Sequence, residues 1–372
     1  MSYFPDNADT WETVSPSAAG LNEDRLNDAI TFAEANDSPW PRDLEKAGNV
    51  PGLSRFEAAP WNEALGPFKP RGGPAGLILK GGRIASTWGD IERVDMTFSI
   101  AKSYLALLTG VAIGDGLIGG VDDLVGDAVK GDLYASDQNR SITWRHLLNQ
   151  GSEWEGTLFD KPDLVDRNRR VGPGTDNSLK GTHRDLQKPG TFWEYNDVRV
   201  NLLGLSLLHV FKRPLPDVLR ERIMDPIGAS DNWSWHGYQN SWIEIDGQQM
   251  QSVPGGTHWG GGIQISSLDH ARFALLVHRN GNWAGKQLLP ENWCQDMHTP
   301  SDINPGYGYL WWLNTDGTEY PGTPKSSYAA IGAGTNVIWV CPDDDLIVVI
   351  RWIDNEKYKE FLAKTYAAVD AT

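Results

Sequence analysis

The chain has 372 residues, 40% hydrophobic and 22% charged, enough to bury a large core as one fold or two interlocked lobes, and no apolar run is long enough to span a bilayer. A formal net charge of −16, with no basic cluster to reverse it, argues against nucleic acid or an anionic membrane as partner. Cys294 and Cys341 match neither a zinc knuckle nor a disulfide framework and read as core thiols.

The opening "MSYFPDNADTWETVSPSAAG" lacks the basic start and apolar centre of a secretory signal, so a cytoplasmic location is expected. A Pro- and Trp-rich segment, 38–61, follows. Residues 74–80, "PAGLILK", and 83–89, "RIASTWG", flank Gly81-Gly82 and predict a β-hairpin. From Phe98 to Ile113 apolar residues recur at helical spacing almost all round, which predicts a buried helix ending at the glycines of "GDGLIGG". Helical patterns recur at 142–150, 196–211 and 215–228, so the stretch from 100 to 250 reads as mainly helical. Beyond Gly260, "GGGIQIS" predicts a strand and 267–281 a helix. The runs 307–314, 328–340 and 344–353 read as strands, and 355–369 as a closing amphipathic helix. Strands at both ends with helices between them imply one sheet assembled from distant segments, an α+β architecture. A sheet domain from 1–98 and 253–372 is therefore expected around a helical domain, 99–252, with the active site between them.

"GDGLIG", Gly114 to Gly119, fits G-x-G-x-x-G but follows a helix instead of a strand, and reads as a helix C-terminal turn. No G-x-S-x-G, P-loop or H-E-x-x-H is present. "SIAK" places Ser99 and Lys102 one helical turn apart, where an amine can reach a hydroxyl. Burial disfavours a charged lysine and makes it a base. The helix start offers unpaired N–H groups and a positive dipole end beside the serine. Alone, S-x-x-K arises about once by chance in a chain this long, and on its own spacing a plain helix start is the better reading. Tyr195, ahead of the helical run at 196–211, is either a phenol for proton transfer or a core aromatic. Asp197 reads first as that helix's N-cap. In "AAIGAGTNVIWV" the glycines allow close backbone approach, and an edge strand there can present the Ala333 N–H to an oxyanion.

Ser99 with Lys102, then Tyr195 before a helix, then a glycine-bearing strand near the C-terminus, resemble in order and spacing the serine β-lactamase-like superfamily. The match is nearest its class C branch: class C β-lactamases, D,D-peptidases, family VIII carboxylesterases and 6-aminohexanoate-dimer hydrolases. The resemblance covers roughly 70–355. It implies an antiparallel sheet flanked by helices with an inserted helical domain. It also implies Ser99 as acylated nucleophile, Lys102 as base, Tyr195 as proton relay, and the amides of Ser99 and Ala333 as oxyanion hole. Trp154, His258, Trp259 and Gly332 flank segments that the resemblance places at the pocket; the tryptophans are otherwise core residues and His258 a loop residue.

Two departures stand out. The usual Tyr-x-Asn is here Tyr195-Asn196-Asp197, and a carboxylate at that place can pair with Lys102 or attract a cationic substrate. The third motif, usually Lys-Thr-Gly or His-x-Gly, corresponds to Ala330-Ile331-Gly332. No cation remains there to grip a β-lactam carboxylate unless Lys325 or His258 reaches in. The expectation is a hydrolase of small esters or uncharged amides, with neither cofactor nor metal. β-Lactamase, D,D-peptidase or acyltransferase activity and a non-catalytic binder of the same fold are the alternatives.

Overall fold

Alternation of side chains across a strand assigns the central sheet to two cores at once. In the computed structural model, which describes residues 3–6, 10–49, 59–172 and 174–369, nine strands and six helices carry the argument. They are α1 (Glu23–Ala35), β1 (Ala75–Lys80), β2 (Arg83–Trp88), β3 (Asp95–Met96), α2 (Ala101–Gly114), α3 (Trp144–Leu148), α4 (Asp197–Phe211), β4 (Ser234–His236) and β5 (Gly262–Ile265). There follow α5 (Ser267–His278), β6 (Trp312–Leu313), β7 (Tyr328–Gly332), β8 (Asn336–Cys341), β9 (Leu346–Arg351) and α6 (Tyr358–Tyr366). Parts of the opening stretch and of the Pro- and Trp-rich segment, 1, 2, 7–9 and 50–58, lie outside the described residues.

A six-stranded antiparallel sheet runs β6-β7-β8-β9-β1-β2. Leu77, Leu79, Ile338, Val340, Ile347 and Val349 face the large core with α2, α4 and α5. Their neighbours Ile78, Val337, Trp339, Val348 and Ile350 face a second core closed by α1 and α6. Both faces are covered, so β8 and β9 are apolar at nearly every position, and continuous runs instead of alternation mark them in the sequence. A small sheet, β3-β5-β4, lies beside the start of α2. Among the described residues no helix is long and apolar enough to cross a membrane.

The hairpin at 75–88, the helix from Ala101, the strand and helix at 262–278 and the closing helix stand where periodicity places them. "GDGLIG" is a helix end, with Gly116 at φ 70°. Cys294 and Cys341 are buried and free, and burial pushes both thiols up to about 12.

Four stretches differ from their reading in the sequence. The stretch 149–196 is not helical: its described elements are two-residue strands and a 3-10 turn, Asp163–Asp166. Buried ion pairs hold it instead, with Arg199 on Glu153 (2.7 Å) and Asp163 (3.1 Å), and Arg184 on Glu153 (2.6 Å) and Glu194 (2.8 Å). In 234–251, Trp242–Ile245 and Gln248–Gln251 form a hairpin instead of helix. The single strand read at 328–340 is two, β7 and β8, joined by a turn at 333–335, so Ala333 lies in that turn instead of on an edge strand. Of 307–314 only Trp312–Leu313 is strand.

His298 is sealed in this core, its ring stacked on Tyr328 at 3.5 Å and edge-on to Trp311. Burial lowers it from 6.5 to about 3. The unfolded chain therefore binds a proton that the native state refuses: this contribution is complete above pH 6.5 and is lost as pH falls towards 3. Urea unfolding between pH 7 and 4 should show a loss of up to ~1.4 kcal/mol per pH unit from this group, and a smaller slope in His298→Phe. An equal slope in the two proteins contradicts the assignment.

Candidate active site

Ser99 sits in a 3-10 turn, Phe98–Ile100, that leads directly into α2. Phe98 is left-handed, φ 49°, a conformation that costs of order 1–3 kcal/mol for a bulky side chain. Its ring is held edge-on by Trp40 at 5.4 Å and Trp352 at 6.3 Å. The turn aims Ser99 into a cavity of about 890 Å³ whose wall also includes Tyr195, His258, Trp312, Gly332 and Ala333.

Below the serine, Lys102 has three acceptors, one for each N–H of an ammonium. Nζ lies 2.8 Å from Ser99 Oγ, 3.2 Å from the Gly255 carbonyl and 2.6 Å from Asp197 Oδ1. Gly255 has to be glycine: a Cβ there would stand 2.7 Å from Leu105 and Val200, in the path of Lys102. Nζ also stands over the Tyr195 ring, 4.7 Å from its centroid, and the Arg169 guanidinium lies 5.0 Å from the same centroid. Trp312 stacks on Tyr195 at 5.7 Å. The phenol is thus packed between two cations and an indole.

Asp197 is not the N-cap. Asn196 is, its side chain accepting from the Arg199 N–H, which leaves the Asp197 carboxylate for the site. Oδ2 takes Arg169 at 2.8 Å and meets His258 Nε2, and the Asp197 N–H donates to Asp166 at 2.8 Å. Burial alone would raise this carboxyl; Lys102, Arg169 and His258 outweigh it and hold it well below 3.8. Asp166, buried beside Arg169, Lys180 and His258, is lowered too. Burial disfavours the charge of Arg169, and Asp197 and Asp166 more than restore it. Asp197, which the sequence suggests for substrate binding, is 1% exposed, is not part of the cavity wall and pairs with Lys102.

A model of the family described as Beta-lactamase matches residues 92–372. The chain belongs to the β-lactamase family. Similar folds include EstCE1, "a hydrolase with promiscuous acyltransferase activity" (14% identity, 94% of this chain and 99% of that one, TM-score 0.60). A penicillin-binding protein homologue from Caulobacter crescentus is comparable (13%, 94% and 99%, 0.59), as is a D-stereospecific amidohydrolase from Streptomyces (18%, 78% and 93%, 0.52). At these identities the likeness is one of fold. No curated protein matches the chain.

Ser99, Tyr195, His258, Gly332 and Ala333 lie together at this cavity, with Lys102 beneath Ser99. Trp154 and Trp259 do not join them. Trp154 is buried with its indole N–H on the Leu133 carbonyl (2.8 Å). Trp259 donates to the Trp61 carbonyl (2.8 Å) under Lys161; both are core residues outside the cavity wall. Lys325 is outside the wall as well, yet the cavity does hold cations: Arg169, Arg170 and Lys180 come from the irregular segment and Lys359 from α6. For Arg169 and Arg170 the sequence signal is the short basic run "RNRR", 167–170, which the reading of an acidic chain without a basic cluster passes over. Asp166, Asp197 and His258 bring three potential metal ligands within 4.8 Å of one another. Lys102, Arg169 and Lys180 already neutralise those carboxylates, so a metal ion does not suit this donor set.

Removing Asp197 strands Lys102, Arg169 and His258 together. Asp197→Ala should cost about 3–5 kcal/mol in urea unfolding at pH 7, and Asp197→Asn clearly less. Since the folded carboxyl is depressed, this contribution is complete above pH 3.8 and is lost as pH falls through the depressed value. A loss in Asp197→Ala below 1 kcal/mol would show that the pair carries no such weight.

Proposed function

We propose that this chain is a serine hydrolase that forms an acyl-enzyme at Ser99 and releases it to water, with small esters or amides as substrates. The observation that carries the reading is the contact of Lys102 Nζ with Ser99 Oγ, 2.8 Å, at the wall of a cavity that also contains Tyr195. Ser99 Oγ attacks the substrate carbonyl carbon as its proton passes to Lys102 Nζ, which takes part as the neutral amine; the proton gained goes by way of the Tyr195 phenol to the leaving group, so both side chains end as they began. The Ser99 nitrogen lies close to the end of β7, 3.2 Å from where a Cβ on Gly332 would stand. This proximity supports the Ser99 and Ala333 amides as the two donors to a carbonyl oxygen, next to the positive end of α2. Water then repeats the attack on the acyl-serine.

Aromatic walls from Trp40, Tyr195 and Trp312 suit an apolar acyl chain. EstCE1 and the Streptomyces amidohydrolase, similar in fold, support esters and amides as the substrate class. A promiscuous acyl transfer like that of EstCE1 follows wherever an alcohol competes with water for the acyl-serine.

Ser99→Ala should reduce p-nitrophenyl butyrate hydrolysis by about a thousandfold or more with an unchanged circular dichroism spectrum, and Tyr195→Phe by roughly a hundredfold. Persistent turnover by folded Ser99→Ala would sink the reading. A panel of short esters, linear amides and a chromogenic cephalosporin should rank the ester first by kcat/KM; a cephalosporin of equal rank would shift the reading to β-lactamase.

A further inference from the structure

One buried histidine outside the proposed chemistry grips the nucleophile turn from beneath. His270, on α5, hydrogen-bonds the Thr97 hydroxyl through Nε2 at 2.7 Å and the Tyr104 hydroxyl through Nδ1 at 3.0 Å. All three residues are fully buried. Thr97 precedes the turn and Tyr104 lies on α2 beyond it, so one imidazole ties both sides of Ser99 together. The surroundings keep the ring neutral: burial, then the Arg351 guanidinium from β9, lower it well below 6.5. The nearest carboxylate on its own helix, Asp269, is engaged by Ser230 and Ser266, and Phe273 covers Tyr104 at 3.8 Å. A neutral imidazole has one donor and one acceptor, so a single tautomer fits a given pair of hydroxyl orientations.

Thr97 in turn lies against the end of β7. Its N–H is fixed to the Ile263 carbonyl at 2.9 Å. Its own carbonyl presses on Gly332 so closely that a Cβ there would be 2.1 Å away, with the Ser99 amide at 3.2 Å from the same point. The Thr97 carbonyl, the Ser99 nitrogen and Gly332 thus lie against one another, with the left-handed Phe98 between Thr97 and Ser99.

We propose that His270 is a positioning residue that, through Thr97, sets the spacing of the Ser99 amide from β7 and so the rate at which Ser99 is acylated. The proposal rests on Ser99 being the nucleophile. A purely structural histidine would change the folded fraction and leave the rate per folded molecule untouched; misplacement of reacting groups lowers that rate itself.

The test is the second-order rate of Ser99 labelling by a fluorophosphonate, measured well below each variant's Tm and corrected for folded fraction. Thr97→Val keeps the shape and removes the hydroxyl; it and His270→Gln should each label about 10-fold more slowly or worse. Thr97→Ser should return close to the wild-type rate, and Thr97→Val should cost little further in a His270→Gln background. Wild-type rates in folded Thr97→Val, or no recovery in Thr97→Ser, overturn the proposal. A wild-type protein that does not label at Ser99 counts against the hydrolase reading instead. Nitrogen-15 histidine NMR then decides the link between His270 and the turn: one fixed tautomer that becomes a mixture in Thr97→Val sustains it, and an unchanged spectrum overturns it.

Discussion

Four separate parts of the chain meet on the carboxylate of Asp197. Lys102 comes from α2, Asp197 itself from the first turn of α4, Arg169 from the irregular segment and His258 from the loop before β5. A buried ion pair adds little to stability compared with an apolar pair of the same volume, because both charges must be stripped of water. What it does supply is direction. Lys102 has one place where its ammonium is satisfied, beside Ser99, and Arg169 has one place where its own charge is. Tyr195 fills the space between those two cations.

Around that hub the backbone comes unusually close. Gly255 lets the chain pass over Lys102, and Gly256 sits so near Asp197 that a Cβ would be 2.2 Å from its side chain. The irregular segment from 149 to 196 owes its shape to charges as well, with Glu153, Asp163 and Glu194 shared among Arg184 and Arg199. Ion pairs therefore hold this segment, and Arg169, Arg170 and Lys180 from the same segment reach the cavity wall.

This explains which parts of the molecule are legible in the sequence. Strands and helices that bury apolar faces declare themselves: the hairpin at 75–88 by two apolar runs around its glycines, α5 by period, α2 and β9 by apolar residues at nearly every position. The segment held by salt bridges has no period to read, since Arg199 reaches Glu153 and Asp163 across long stretches of chain. Asn196 and Asp197 are both good caps, and only the fold decides that the amide caps and the carboxylate turns inward. The β7–β8 hairpin is hidden because its turn, Ala333-Gly334-Thr335, is bordered on both sides by β-formers. Trp154 and Trp259 lie near the site in sequence but point into the core, a difference that neighbours in the chain do not reveal. Arg169 escapes notice for the reason that it matters, its partner Asp197 being on another element.

The central sheet has a history built into its order. β1 lies between β2, its neighbour in sequence, and β9, from the far end of the chain. During synthesis the first hairpin emerges alone, and a lone hairpin is at best marginally stable in water. Its strands, apolar on both faces, leave the ribosome with an unpaired edge that waits for almost the entire remaining polypeptide. Pairings of such high contact order form slowly, and the turn bearing Ser99 packs on β7 and β8, which also arrive late. Competence at the active site is thus one of the last events of assembly, and a nascent chain of this design has to be shielded from its own kind until its C-terminal strands are made.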